Sequence, residues 1–260
     1  MRQCRARVLA LQEVNREFYS LILHEPYLAA TVQPGQFLHL RVDSGLSPLL
    51  RRPFSVAGAF PGTGTVRLLF RCVGEGTKLL CRVREGDLLD CLGPLGTPFT
   101  PAGADPAVLL AGGTGIAPLL YLAESLLAAG RGVHLFYGAT GAAALLPLER
   151  FLSPGLLIHY ATEDGTAGEQ GLLPDVFQRA LDNGLLPGEL FACGPRPFLA
   201  ALARGNQRWR FPLQISLEER MACGIGACQG CAVLIQKDGV TAYARVCREG
   251  PVFRSEEVVW

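Results

Sequence analysis

Four cysteines near the C-terminus carry the clearest chemistry in the chain. Cys223, Cys228 and Cys231 lie in the run MACGIGACQGCAV, and Cys247 follows after a strand-like segment. The spacing, C-x4-C-x2-C with a distant fourth cysteine, is the plant-type pattern for a two-iron, two-sulfur (2Fe-2S) cluster. Three thiolates from one tight loop require unusual backbone angles, which Gly224, Gly226 and Gly230 can supply, and their amides can approach the cluster sulfurs. A structural zinc site or inert buried cysteines are the competing readings. Zinc, however, favours paired short ligand loops, whereas this is one loop of three ligands interleaved with glycine and alanine.

Two further stretches contain residue types suited to phosphate groups. In LLRRPFSV, Arg52 has the forked donors to grip a pyrophosphate and Ser55 can hydrogen-bond a ring nitrogen or phosphate oxygen. Pro53 removes a ladder donor, so the segment is expected at a sheet edge or irregularity. A surface arginine and a core Phe54 would account for the same residues. Later, Gly112, Gly113, Thr114 and Gly115 follow a strand-like run ending at Ala111 and precede a helix expected from near Ile116 to Gly130. Side-chain-free glycines and orphan helix amides at the carboxyl end of a strand favour a dinucleotide pyrophosphate.

The elements around these residues fall into three blocks. Short apolar runs from residue 5 to about 100, separated by turns at Pro34-Gly35, Pro61-Gly62-Thr63-Gly64 and Glu85-Gly86-Asp87, predict a small antiparallel barrel without a long helix. From Pro106 the pattern alternates strand and helix (AVLLA, VHLFYGA, LLPLERFL, LLIHYAT, LLPDVFQRAL, ELFACGPRPFLAALA), predicting a parallel sheet with helices on both faces. The last fifty residues are too few for a large core, so the cluster must staple them, with a hairpin turning at Lys237-Asp238-Gly239. The expected organisation is multidomain, β plus α/β: a barrel at 1–101, a Rossmann-like parallel-sheet domain at 102–212 and a cluster module at 213–260.

Composition narrows the function classes. A net charge of +1 over 260 residues gives no field for nucleic acid or an acidic membrane surface. Nine cysteines, an odd number with five scattered singly, suit a reducing compartment. The apolar tract at 108–122 is broken by the glycine turn and Pro118, no secretory signal is evident, and a cytoplasmic soluble protein is expected. The four histidines fall in no recognisable acid/base motif, which points substrate chemistry to another polypeptide.

These motifs resemble those of the ferredoxin reductase superfamily. RPFS (Arg52, Pro53, Phe54, Ser55) is similar to its flavin motif, in which the arginine holds the FAD phosphates and the strand lines the isoalloxazine; Phe54 lacks the hydroxyl of the common tyrosine. The run Leu69, Phe70, Arg71 leading into GEGT resembles the second FAD element, with Gly76 and Thr77 toward the diphosphate. Cys193-Gly194-Pro195 resembles the tripeptide at the nicotinamide, with Cys193 beside the hydride path; a small buried hydrophobe is the alternative for that cysteine. Phosphate-preferring relatives tend to carry basic residues where Glu163 and Asp164 follow Thr162, and two carboxylates would repel a 2′-phosphate, so NAD is favoured over NADP.

The full order, RRPFS, GEGTK, GGTGIAP, ACGPRPF and ERMACGIGACQGC, closely resembles the family of electron transfer subunits of dihydroorotate dehydrogenase B along essentially the whole chain. The resemblance implies FAD, one 2Fe-2S cluster and NAD, with an FMN-containing catalytic partner that oxidises dihydroorotate to orotate in a heterotetramer of two plus two. Nicotinamide moves electrons in pairs and a cluster moves them singly, so a flavin is needed between the two. Two rivals share the features: a subunit of a hydrogenase or bifurcating ferredoxin:NADP reductase, and a zinc-stapled nucleotide-binding protein without redox function.

Overall fold

Strands β1 (Arg2–Glu13), β2 (Phe18–His24), β3 (Phe37–Arg41), β4 (Arg52–Phe60), β5 (Thr65–Arg71) and β6 (Leu88–Leu95) close into an antiparallel barrel in the order β1-β2-β5-β4-β3-β6. The computed structural model describes residues 1–42, 45 and 47–260. Alternation drives the barrel: Val8, Leu21, Leu23, Leu38, Leu40, Val56, Val66 and Leu68 point inward and are buried together. Two short helices, α1 (Pro26–Thr31) and α2 (Glu75–Leu80), interrupt the strands. Glu25 caps the first by accepting from the Leu28 amide at 2.7 Å. The run beginning at Lys78, expected as strand, instead completes the second: Thr77 Oγ1 accepts from the Gly74 amide at 3.0 Å and closes its first turn.

Pro53 has a consequence for barrel closure. β4 pairs with β3 along Arg52–Ser55, but its pairing with β5 begins only at Val56↔Leu68, with an irregularity between Val56 and Gly58. Leu69, Phe70 and Arg71 pair instead with β2. The barrel is therefore closed, yet β4 and β5 part at one end, the local irregularity expected of a strand proline.

The second sheet runs β10 (Glu169–Gln170), β9 (Leu157–Thr162), β8 (Val133–Ala139), β7 (Ala107–Gly112), β11 (Glu189–Cys193), β12 (Leu213–Ser216), all parallel. Helix α3 (Ile116–Ala128) covers one face and α4 (Leu173–Asp182) with α5 (Arg196–Trp209) the other. Alternate residues of β7 show the division: Leu109 and Ala111 pack toward Leu119 and Leu122, Val108 and Leu110 toward Phe177, Leu199 and Leu202. LLPLERFL, expected as one of the alternating helices, forms only a single 3-10 turn at Leu148–Arg150, after Pro147. Buried Glu189 is fully paired, at 3.0 Å from Arg131 and accepting from the Ala102 and Gly103 amides.

The C-terminal module is a hairpin of β13 (Ala232–Lys237) and β14 (Val240–Arg245), turned by Asp238 and Gly239 at φ 50° and 78°. The chain then returns: β15 (Val252–Arg254) pairs antiparallel with β12 and becomes the seventh strand of the central sheet. We therefore propose drawing the module boundary after Ser216 rather than at 213, with β15 given back to the sheet. Among the described residues no helix is long and apolar enough to cross a membrane.

A titratable pair sits on β8 and β9. The His134 Nδ1 and His159 Nε2 atoms are 3.2 Å apart, and the His159 ring stacks on Phe136 at 4.2 Å. Burial lowers both histidines, and each ring's charge would oppose the other's. The unfolded chain then binds protons more readily than the native one, so stability is full above the unfolded value of about 6.5 and falls as pH drops below it. Thermal melts from pH 8 to pH 5 should show a declining Tm below about pH 6.5, to which His39 on β3, also lowered by burial, contributes; His159→Phe should make the decline shallower without abolishing it.

Candidate functional site

The parting of β4 from β5 opens a cavity of about 280 Å³. Pro53, Phe54, Ser55, Leu69, Phe70, Arg71 and Thr77 line its barrel side. Phe54 and Phe70 meet edge-on with centroids 5.5 Å apart, giving a rigid apolar wall. Arg52 stands beside this cavity: its Nη1 donates to the Leu50 carbonyl at 2.7 Å, and its stem crosses Gly76, where an added Cβ would come within 3.0 Å of Arg52 Nε. Gly76 is thus a seat for the arginine, and the fork stays close to the α2 turn.

The opposite side of the cavity holds residues to which the sequence assigned no cofactor role: Ser216, Leu217, Glu218, Glu219 and Met221. They form the link from the last parallel strand to the cysteine loop. Glu218 lines the cavity with its side chain exposed to solvent, and partial desolvation by the surrounding protein raises its carboxyl. The sequence signal for this link was positional: a segment joining a sheet edge to Cys223 in so few residues has to pass between the sites.

A second cavity of about 470 Å³ lies at the carboxyl end of the parallel strands. Gly112, Gly113, Gly138, Glu163, Pro195 and Phe198 line it. Arg71 borders both cavities, held by Glu17 at 2.6 Å and stacked over Phe18; its buried Nε has no partner among the described residues. An orphan guanidinium donor between two cavities is a ready anchor for a phosphate. Thr114 faces the first cavity.

The remaining glycines of the two nucleotide motifs serve packing. A Cβ on Gly115 would fall 2.0 Å from the Cys193 carbonyl oxygen, and one on Gly194 would fall 3.0 Å from the Gly112 Cα. Their bareness lets α3 and the loop after β11 press together beneath the cavities. Cys193 itself is 1 % exposed and lines neither cavity. Burial holds its thiol far up, with Ser216 as its hydrogen-bond partner. The structure thus brings the expected residues of β4, β5 and the GGTG turn to the cavities, and sets Cys193, Gly115 and Gly194 one layer behind.

The four cysteines of the loop fall into two pairs. Cys223 and Cys228 interact with each other, as do Cys231 and Cys247. Amides reach the sulfurs from Gly226 (to Cys247, 3.1 Å), Cys228 (to Cys223, 3.4 Å), Gly230 (to Cys228, 3.5 Å) and Cys247 (to Cys231, 3.4 Å). Burial raises the Cys223 thiol, but the amide donors around it prevail and bring it to about 6. Cys228 is exposed, whereas Cys231 and Cys247 are buried. Gly224 and Gly226 adopt positive φ as expected; the third left-handed residue is Gln229 at φ 60°, not Gly230, whose bareness instead lets its amide reach Cys228.

Two thiolate pairs bridged by amide donors suit two irons sharing sulfides. The donor set therefore fits a 2Fe-2S cluster better than zinc.

On the barrel side of the loop lies His39, fully buried on β3. Burial, aided by the nearby Arg51 guanidinium, lowers it to about 4, so the ring is neutral at neutral pH. Among the described residues neither ring nitrogen closes a full hydrogen bond, although the main chain of Arg51 and of Cys223 lies close enough to act on the ring.

A closed antiparallel barrel with a parted strand pair, joined to a parallel sheet with a glycine turn at its strand ends, is the architecture of ferredoxin reductase-type flavoprotein oxidoreductases. Comparison with solved structures agrees. An NADH-dependent reduced ferredoxin-NADP oxidoreductase, studied for flavin-based electron bifurcation, superposes with a TM-score of 0.86 at 27% identity, covering 99% of this chain and 90% of that one. The ferredoxin reductase in carbazole 1,9a-dioxygenase shares the fold, with a TM-score of 0.70 at 22% identity over 82% of this chain and 68% of its own. The family model for the iron-sulfur cluster binding domain of dihydroorotate dehydrogenase B matches residues 218–259. The dihydroorotate dehydrogenase B (NAD(+)) electron transfer subunits of Desulforamulus reducens and Shouchella clausii are 37% and 40% identical, covering 98% and 99% of this chain and 97% and 98% of their own. The chain belongs to this family of electron transfer subunits.

Proposed function

We propose that this protein carries electrons between a dihydroorotate-oxidising catalytic subunit and NAD+ in pyrimidine biosynthesis, through a cluster at Cys223, Cys228, Cys231 and Cys247 and an FAD in the β4–β5 cavity. The observation that carries this reading is the alignment of three sites: the strand-end cavity meets the barrel cavity at Arg71, and the barrel cavity meets the cysteine loop at Met221. The cofactors supply one-electron transfer at the cluster, hydride transfer at the nicotinamide and both at the flavin between them. The chain's own residues bind and shield. Arg52, Ser55, Gly76 and Thr77 hold the flavin end of FAD and its diphosphate; Phe54, Leu69 and Phe70 wall the ring and exclude water. Gly112 and Gly113 admit the NAD pyrophosphate, with Pro195 at its nicotinamide end, while Thr114 turns toward the FAD cavity and Arg71 faces both ligands. Cys193, together with Gly115 and Gly194, supports this surface from behind.

The catalytic partner is an FMN-containing subunit, and the assembly is a heterotetramer of two plus two in the cytoplasm. The exposed edge of the loop, at Cys228 and Ile225, supports docking there. Co-expression with that subunit should yield a complex that forms orotate with NAD+; isolation with a hydrogenase, or with a larger iron-sulfur flavoprotein that leaves orotate unmade, would reject the reading. The likeness to the NADH-dependent ferredoxin-NADP oxidoreductase favours the bifurcating alternative, but its identity of 27% falls below the 37% and 40% of the dihydroorotate dehydrogenase B subunits; Glu163 on the wall of the NAD cavity opposes a 2′-phosphate and so favours NAD over NADP. Glu163→Lys should accordingly raise KM for NADH and lower it for NADPH, each by roughly tenfold for a contact of about 1.4 kcal/mol. Steady-state kinetics with both nucleotides checks this.

A further inference from the structure

The imidazole of His39 stands between the two redox sites and is used by neither. Its strand partner across β4 is Pro53, on the wall of the flavin cavity, and its backbone carbonyl accepts from Arg51. On its other side the ring meets the cysteine loop: a Cβ on Gly224 would lie 2.4 Å from His39 Nδ1, 3.0 Å from Cε1 and 3.2 Å from Cγ. Gly224 follows Cys223 directly and holds φ +71°. Two constraints, a left-handed backbone and a ring pressed against the α-carbon, thus demand glycine at one position. The main chain of Arg51 on one side and of Cys223 on the other lies close enough to act on the ring, yet neither nitrogen closes a full hydrogen bond among the described residues, and a fully buried ring left so is costly unless a partner completes it. A neutral imidazole has one N–H to donate.

We propose that His39 is a positioning residue for the cluster: its ring N–H is directed at the Cys223 end of the loop, seats that end against the flavin barrel and stabilises the reduced cluster, and Gly224 is bare to admit it. The proposal rests on the cluster assignment made above. A donor dipole at the Cys223 end of the loop, beside the cluster, favours the more negative, reduced state, so its loss lowers the reduction potential. His39 thereby links the flavin wall and the cluster through one side chain, acting through Cys223 without contacting substrate.

The test is a potentiometric titration of the FAD- and iron-loaded protein, followed by electron paramagnetic resonance. His39→Leu should lower the cluster midpoint by the equivalent of about a tenfold change in the one-electron equilibrium, about 59 mV, and move the g-values, while the flavin midpoint stays put. His39→Gln, which retains an N–H donor, should stay near wild type. An unshifted midpoint and spectrum in the leucine variant would overturn the proposal. So would a glutamine variant shifted as far as the leucine one, because ring volume rather than the N–H would then be responsible. If the leucine variant does not assemble, Gly224→Ala decides: pressing the ring away must lower the midpoint, and no change rejects the idea. Wild-type protein lacking iron would instead refute the cluster assignment itself, which separates the two failures.

Discussion

Cys228→Ser is expected to remove the cluster and halt orotate-linked electron transfer while leaving reduction of FAD by NADH intact. Cys228 is the exposed member of the Cys223–Cys228 pair, and its sulfur takes the Gly230 amide at 3.5 Å. An oxygen at this position is a harder, poorer iron ligand, and the Cys223 partner would be left facing an incomplete site. Partners of a metal ligand one layer out are already worth 10–100-fold, so loss of a ligand should cut NAD-dependent orotate formation by more than about 100-fold. The flavin and nucleotide cavities lie on the far side of Met221 and keep their walls. NADH reduction of an artificial acceptor through FAD should therefore change little. Iron and sulfide analysis alongside the two assays checks the prediction; full orotate-forming activity in the variant would mean the relay bypasses the loop.

The largest stability effect is expected at Gly115. An added methyl would sit 2.0 Å from the Cys193 carbonyl oxygen and 2.2 Å from its carbon, both main-chain atoms of the central sheet that cannot swing aside. Relief requires parting α3 from β11, which are packed through Ile116, Leu119 and Phe191 in one buried cluster. Overpacking of this kind costs about 3 kcal/mol, which for a domain of this size lowers Tm by roughly 6–12 °C. Differential scanning calorimetry of Gly115→Ala measures it directly. The same displacement tilts the glycine turn at the mouth of the NAD cavity, so NADH affinity should fall together with stability. A variant with unchanged Tm would show that the helix start yields freely.

Much of this architecture was legible in the sequence because local chemistry dictated it. Asp238-Gly239 turns the hairpin where the side-chain pattern asks for φ above zero, and the GGTG run gives the helix its start at Ile116. The cysteine spacing specified the loop, and amide–sulfur contacts follow from its compactness. What the sequence hid depended on long-range contact. That β4 and β5 separate beyond Val56 is decided by pairing with β2 and β3, so Pro53 signalled an irregularity but not a cavity. Cys193 read as either a residue beside the hydride path or a small buried hydrophobe at a strand end, and only the packing of Ser216 from the neighbouring strand sets it one layer behind the cavities. The return of Val252–Arg254 to the sheet is a pairing across some forty residues that no local pattern encodes. His39 read only as one of four histidines outside any acid/base motif, because its meeting with Gly224 exists only once barrel and loop are packed.

The relay is tested most directly by anaerobic titration of the purified chain with NADH, observing flavin absorbance and paramagnetic resonance together. The arrangement of cavities and thiolate pairs predicts bleaching of the flavin accompanied by the rhombic signal of a singly reduced two-iron cluster, both reversed by an oxidant. Bleaching with iron present and no such signal, or a colourless protein that carries zinc, would contradict it.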